Sequence, residues 1–367
     1  MMIWRNGRVV DVVREWHGAQ ELTVTVSEGT ARAINYPPLT GHAEVGDRVL
    51  LTASAVAKNL GTGGYLFVAA LPDRLPPDPA PAPGHVVKAR YTPLQYLTLG
   101  TDEQESTAHD LLAGADSIDG MPVVVADLHS ALPAVVAVLR SRLPEVRIAY
   151  IMDDGGALPA WFSRTAAALT ERGDILGTIT AGQAFGGELE TVNVHSALLA
   201  ARLVWHADVA IVSQGPGNLG TDTRWGFSGV RTGEYVNAAN ALGGRAVALL
   251  RMSSADARER HRGISHHTLT ALTRVALTPA LCPVPVLGQD ALSAGIPADI
   301  RARMAGHVQR LAATPHLTVR EVPASALVGP LQHSPVKLST MGRGLSADPL
   351  AFLAAGAAGF AAAELLG

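Results

Sequence analysis

Apolar residues along this chain follow two different patterns, and the change falls near residue 71. Before it, short runs rich in Val and Leu occur at Arg8–Val13, Leu22–Val26, Ala31–Ile34, Asp47–Ala55 and Tyr65–Ala70. They are separated by the turn signals His17-Gly18, Glu28-Gly29, Gly46-Asp47 and Gly61-Thr62-Gly63-Gly64. Short strands so closely spaced predict a small β-barrel of the OB or SH3-like kind over residues 1–71. Prolines at positions 72, 76, 77, 79, 81 and 83 exclude helix interiors and sheet centres, and they predict an extended linker over 72–84.

Beyond the linker, His85–Leu99 reads as a strand or an extended lead-in, and Asp102–Ala113 as a first helix. Longer, unbroken apolar runs follow: Val123–Asp127, Arg147–Gly156, Ile175–Gly187, Ala207–Gln214 and Arg245–Met252. They alternate with predicted helices at Pro133–Leu143, up to Arg172, at Glu188–Trp205, at Gly233–Leu242 and from Ser265 onward. Strands that are apolar on both sides suit a sheet covered on both faces. The expectation is an α/β domain over 85–367 with a mostly parallel open sheet, helices on both faces and the small barrel in front. A helix near Ile296–Leu311 and a strand at Leu317–Val322 extend it. The uncharged run Leu350–Ala363 falls short of the ~20 residues a membrane span needs, so it reads as a buried or interface helix.

In such a sheet ligands bind outside the carboxyl ends of the strands. Every apolar run ends in polar residues there. Asp127, His129 and Ser130 follow the first run, Asp153 and Asp154 end the second, and Gln183 lies at the third. Gln214 with Gly215, Gly217 and Asn218 follows the fourth, and Arg251, Ser253, Asp256, His261, His266 and His267 follow the fifth. GPGNLG has the form of a dinucleotide fingerprint, but no helical pattern opens after it, which leaves an anion-binding loop or a structural glycine loop. Ser265 is a candidate N-cap, placing His266 and His267 at a helix start where imidazoles tend to stay neutral. Neutral imidazoles suit a metal ligand or a general base. Asp127, His129 and His261 form the candidate metal set, and His261 with one of His266 and His267 plus Asp127, Asp153 or Asp256 is a further feasible one. His266 and His267, pointing about 100° apart, are not expected to share one ion.

Composition narrows the function classes. Hydrophobic residues make up 48% and charged residues 17%, with mean hydropathy +0.20, so a large core is expected. A net charge of -3 argues against a broad nucleic-acid surface. The lone Cys282 excludes an internal disulfide, and the absence of a signal-like N-terminus points to the cytoplasm. The barrel offers no basic, aromatic face and reads equally as a packing or homo-oligomerisation module.

The stretches LGTGGYLFV, RYTPLQ, DLHSALPAVVA, DDGGALPAWFS, GTITAGQAFGGELETVNVHSALLAAR, SQGPGNLGT, RERHRGISHHTLTAL and MGRG resemble a family of unknown function found in actinobacteria and related Gram-positive bacteria. The resemblance spans nearly the whole chain and brings no activity with it. The functional expectation therefore rests on the residues: an enzyme acting on an anionic or phosphorylated small molecule, by metal-assisted or general-base hydrolysis. In it His261, His266, His267, Asp153 and Asp256 are the catalytic candidates. Gln183, Gln214, Gly215, Gly217, Asn218, Arg251 and Ser130 are the ligand-binding ones. A divalent metal is the candidate cofactor. The alternatives are a non-catalytic ligand sensor or assembly protein and a nicotinamide-dependent oxidoreductase.

Overall fold

The computed structural model describes residues 2–60 and 63–367; Gly61 and Thr62, part of one predicted turn, lie outside the described residues. Two compact units emerge: residues 2–98 with Trp161–Ala167, and Leu99–Ala160 with Ala168–Gly367. In the first, β1 (Trp4–Trp16), β2 (Ala19–Val26), β3 (Gly29–Asn35), β4 (Arg48–Thr52) and β5 (Tyr65–Ala70) close into a barrel in the order β1-β2-β3-β5-β4. The long β1 pairs with both β2 and β4, and two register shifts against β2 let it bend between them. Val9, Leu22, Val24, Val49, Leu51 and Leu66 fill the interior. The stretch 72–84 contains no helix or strand. A hairpin of β6 (Val86–Lys88) and β7 (Tyr96–Thr98) ends this unit.

The second unit is built on a parallel sheet in the order β11-β10-β9-β12-β8-β13-β16-β17. Its strands are β8 (Pro122–Ala126), β9 (Ile148–Asp154), β10 (Gly177–Gly182), β11 (Leu189–Glu190), β12 (Val209–Ser213), β13 (Arg245–Ala248), β16 (Ala280–Val286) and β17 (Leu317–Pro323). A small antiparallel pair, β14 (Met252–Ser253) and β15 (Gly263–Ile264), follows β13. β8 leads through helix Leu132–Arg142 to β9, while β12 leads through helix Arg231–Ala241 to β13 on the other side of β8. These right-handed crossovers run in opposite directions, so their helices cover opposite faces. Helix Leu132–Arg142 accordingly packs with Ser325–Gln332 and Pro349–Glu364, and helix Arg231–Ala241 with Val194–Leu199 and Ala271–Val275.

The structure departs from the sequence pattern in places. Glu188–Trp205 is not one helix: Leu189–Glu190 adds an edge strand, and the helix starts at Val194 behind an Asn193 cap whose side chain accepts from Ser196 N at 3.1 Å. Of Asp102–Ala113 only His109–Leu112 is helical, because the N–H groups of Glu103, Ser106 and His109 bond three residues back, as a chain of turns. β16 escaped prediction because Pro283 and Pro285 interrupt it. The prolines withhold donors, and pairing with β13 contracts to Val247↔Leu281, while β17 pairs along all of β16. Cys282 on β16 is fully buried, and burial pushes its thiol up to about 12, so it serves as a small apolar residue.

Helix Pro349–Glu364 is apolar all round and buried, as the uncharged run predicts, and no helix among the described residues is long and apolar enough to cross a membrane. It approaches helix Leu132–Arg142 closely enough that a Cβ at Gly359 would stand 2.6 Å from the Val135 carbonyl oxygen. Gly306, inside helix Ala298–Ala312, has open space where a Cβ would go. Gly306→Ala should therefore raise stability by about 1 kcal/mol through helix propensity. Gly359→Ala should lower it by about 1–3 kcal/mol through overpacking. Urea midpoints of the two variants check this, and equal shifts would refute the close helix approach.

Candidate functional site

The two crossovers diverge between β8 and β12, and the carboxyl ends of β12, β8 and β13 lie side by side at this switch point. Asp127 leaves β8 into it and is buried. Asn218 Nδ2 donates to its Oδ1 at 2.7 Å, and Gln214 Nε2 donates to the same oxygen at 3.2 Å and to the Asp127 carbonyl at 2.8 Å. Arg251 Nη1 donates to Oδ2 at 2.9 Å, and His267 Nδ1 stands 3.6 Å from that oxygen. Burial alone would raise this carboxyl; the His267 ring and the Arg251 guanidinium outweigh burial and bring it down to about 2. A Cβ at Gly229 would fall 1.7 Å from Oδ1, so the backbone at the start of helix Arg231–Ala241 lies directly against the carboxylate.

Behind Asp127 lies a group of imidazoles. The β14–β15 pair closes off residues 254–262 as a loop, which turns His261 back toward the helix that begins at His266. Ser265 caps that helix by accepting from His267 N at 3.2 Å, and the same hydroxyl stands 2.7 Å from His261 Nδ1. One ligand atom from each of His261, His266 and His267 lies within 4.8 Å of the others. The expected divergence of His266 and His267 is thus overturned: their rings are 4.4 Å apart, because rotation about the side-chain bonds brings both to His261. His261 Nε2 and His266 Nε2 are buried without a hydrogen-bond partner. Burial first, then the neighbouring Arg251 and Arg258 charges, pull His261 down to about 3. Burial first, then His267 and Arg260, pull His266 down to about 4. Phe227 stacks on His267 at 3.9 Å between ring centroids and closes that side.

The structure groups His261 with its fellow histidines and not with Asp127 and His129. His129 Nδ1 is 2.8 Å from the Tyr150 hydroxyl, which reaches Ser213 Oγ at 3.0 Å. Neither Tyr150 nor Ser213 was singled out from sequence, although a Tyr inside an apolar strand signals a hidden hydroxyl that needs a partner. Asp153, on β9, is buried in a separate group and ion-paired to Arg231 at 2.7 Å, yet burial keeps its carboxyl above the ordinary range. Gln183 N donates to the Asp154 carbonyl at 3.0 Å, beside the end of β10. Asp256 is gripped by Arg258 through bonds of 3.0 Å to each carboxylate oxygen, which with the Arg258 backbone N–H outweigh burial and hold it well below the carboxylate range.

Gly215 is needed for space, since a Cβ would meet the Leu158 side chain at 2.4 Å, whereas Gly217 is needed for its backbone, at φ +110 with nothing nearby. Ser130 Oγ donates to Thr340 Oγ1 at 3.0 Å at the edge of a narrow cleft. Ser130, Arg251, Ser253, Asp256, Thr340, Arg343 and Asp348 supply its polar lining. Its enclosed space of ≈ 30 Å³ holds about one or two waters, so a larger guest would rest across its mouth.

The sequence model of a family described as "Protein of unknown function (DUF3866)" matches residues 32–359, and the chain belongs to that family. No curated protein matches the chain.

Two outcomes follow from this geometry. Gly229→Ala should displace Asp127 and loosen its bonds to Asn218 and Arg251, lowering stability by about 2–4 kcal/mol. A denaturation midpoint like that of the parent chain would contradict the contact. His129, held neutral by burial at about 4 against 6.5 when unfolded, stabilises the fold above pH 6.5. That contribution, at most about 3 kcal/mol, is lost as pH falls from 6.5 to 4, because the unfolded chain takes up the proton first. His129→Gln should flatten this acid limb in a pH series of melts, and an unchanged slope would exclude His129 as a source.

Proposed function

For this member of a family of unknown function, we propose an enzyme that hydrolyses an anionic small molecule at the switch point between β8, β12 and β13, in the cytoplasm. The observation that carries this reading is the double position of Arg251. Its Nη1 lies 3.1 Å from His267 Nδ1 and 2.9 Å from Asp127 Oδ2, and the same residue lines the cleft with Arg343, Ser130 and Thr340. A buried imidazole group thus stands beside a cleft that holds guanidinium and hydroxyl groups for an anion, with Arg343 also paired to the Asp348 and Asp256 carboxylates of the same lining.

Gln214, Asn218 and Nη1 of Arg251 serve the protein's own carboxylate at Asp127, so the substrate's anionic group is assigned to the cleft. Water activated at the histidines attacks the phosphorus or carbonyl carbon. The new bond forms to the water oxygen, and the ester or anhydride oxygen leaves with a proton. Catalysis falls to the imidazoles; Asp256, which lines the cleft but is held by Arg258, and Asp153, paired to Arg231, serve arginines and not the substrate.

Two other readings meet the same site. A nicotinamide enzyme would need a helix opening at the glycine loop, but residues 214–227 contain none. A ligand sensor or assembly protein would use the same pocket without turnover. The purified full chain should hydrolyse at least one member of a panel of phosphorylated and carboxylated small molecules. Arg343→Met should raise KM at least tenfold, and His266→Ala should lower kcat at least a hundredfold. Tight binding of a panel member with no turnover would replace the enzyme with a sensor.

A further inference from the structure

We propose that His261, His266 and His267 together hold one divalent transition-metal ion of the zinc class, with a coordination position left open for water. The proposal takes its chemistry from the hydrolytic reading above, but occupancy of the site can be measured without it. Three nitrogen atoms on one tetrahedral ion stand about 3.4 Å apart, given bonds of about 2.0–2.1 Å. The three imidazole atoms here lie within 4.8 Å of one another, so small side-chain rotations bring them to an ion.

Hydrogen bonding points the same way. His261 is 1% exposed, and its Nε2 has no partner, although a buried acceptor without one is rare. The Nε2 of His266 is in the same condition. Two lone pairs withheld from water and from protein are what an ion would engage. Phe227 and the carbon edges of the rings supply no donor for them.

The groups behind the ring nitrogens complete the pattern. A metal-bound imidazole presents its other ring nitrogen as an N–H, and that proton needs an acceptor. For His261 the acceptor is Ser265 Oγ, 2.7 Å from Nδ1. For His267 it is Asp127 Oδ2, 3.6 Å from Nδ1, which the ring movement that loads the ion brings into hydrogen-bond reach. Without the ion, Arg251 Nη1 donates to that Nδ1, leaving the His267 proton on Nε2; loading the ion shifts the proton to Nδ1, toward Asp127. Asp127 is therefore a positioning residue for the site, not a ligand.

The donor set selects the ion. Magnesium and calcium require oxygen ligands, and no carboxylate belongs to this trio. Three imidazoles suit zinc, cobalt, nickel, copper or ferrous iron. Three protein ligands with the fourth position open are the pattern of a catalytic ion that lowers the pKa of its water toward neutrality.

The test is titration of the full-length chain, stripped with a chelator, with zinc chloride by calorimetry and with cobalt chloride by visible absorption. One equivalent should bind, and cobalt should show the intense bands of a four-coordinate centre. His261→Gln and His266→Ala should each weaken binding at least a hundredfold, and Asp127→Asn about 10–100-fold. His333→Ala, an exposed histidine elsewhere, should change nothing. Circular dichroism identifies a variant that fails to fold, and the half-buried His266 provides the variant that keeps the fold. No stoichiometric binding, or binding undiminished in His266→Ala, overturns the proposal. Metal bound at the histidines with no hydrolysis of any panel compound removes the hydrolytic reading and leaves the metal site standing. Hydrolysis unaffected by chelation, in a chain that chelation has emptied, overturns the catalytic role given to the ion.

Discussion

The Asp127 carboxylate is the constraint on which the site depends. An ionised carboxylate taken out of water costs several kcal/mol unless its oxygens are satisfied. Here three strand ends must cooperate to satisfy it: Asp127 follows β8, Gln214 and Asn218 follow β12, and Arg251 follows β13. Each loop is therefore held at its inner end. The glycine-rich loop cannot swing away without stranding the charge, and Gly229 must lack a side chain so that the next helix can start against it.

The same constraint reassigns the chemistry. Amides and a guanidinium after parallel strands are the usual equipment for an external anion, and they read that way in the sequence. Once an internal carboxylate occupies them, they become a scaffold. What remains at the cleft is Arg251 with Arg343 and the hydroxyls of Ser130 and Thr340, while the His261 and His267 imidazoles stay buried beside Asp127. His267 joins the two regions, since its Nδ1 faces Asp127 and Arg251 while its ring belongs to the histidine group.

Much of the sheet could be read from the chain because five strands are apolar on both sides and are followed at once by polar residues. Parallel pairing then gathers those residues at one edge, whatever their later roles. Harder to read was anything set by side-chain rotation or by pairing with distant residues. His266 and His267 diverge at Cβ and converge at the ring, and periodicity records only the first. Tyr150 is hidden in an apolar run until its hydroxyl is seen between His129 and Ser213. β16 was missed for the opposite reason, since two prolines argue against a strand unless one side of it is free of ladder bonds. The helix expected from Glu188 failed locally, where Asn193 sets a later start.

The end of the chain also bears on the site. Asp348, fully buried, precedes helix Pro349–Glu364 and accepts from Ser253 Oγ at 2.6 Å, Ser254 N at 2.9 Å and Arg343 Nε at 3.1 Å. Ser253 and Ser254 lead into the loop over 254–262 that carries His261, and Arg343 lines the cleft. One carboxylate thus ties this apolar helix to the polar loop that carries His261. That helix cannot shift without moving Ser253, because its packing against helix Leu132–Arg142 leaves no space at Gly359. Through Asp348 the buried helix and the loop that carries His261 share one set of hydrogen bonds, a physical connection that involves no ligand.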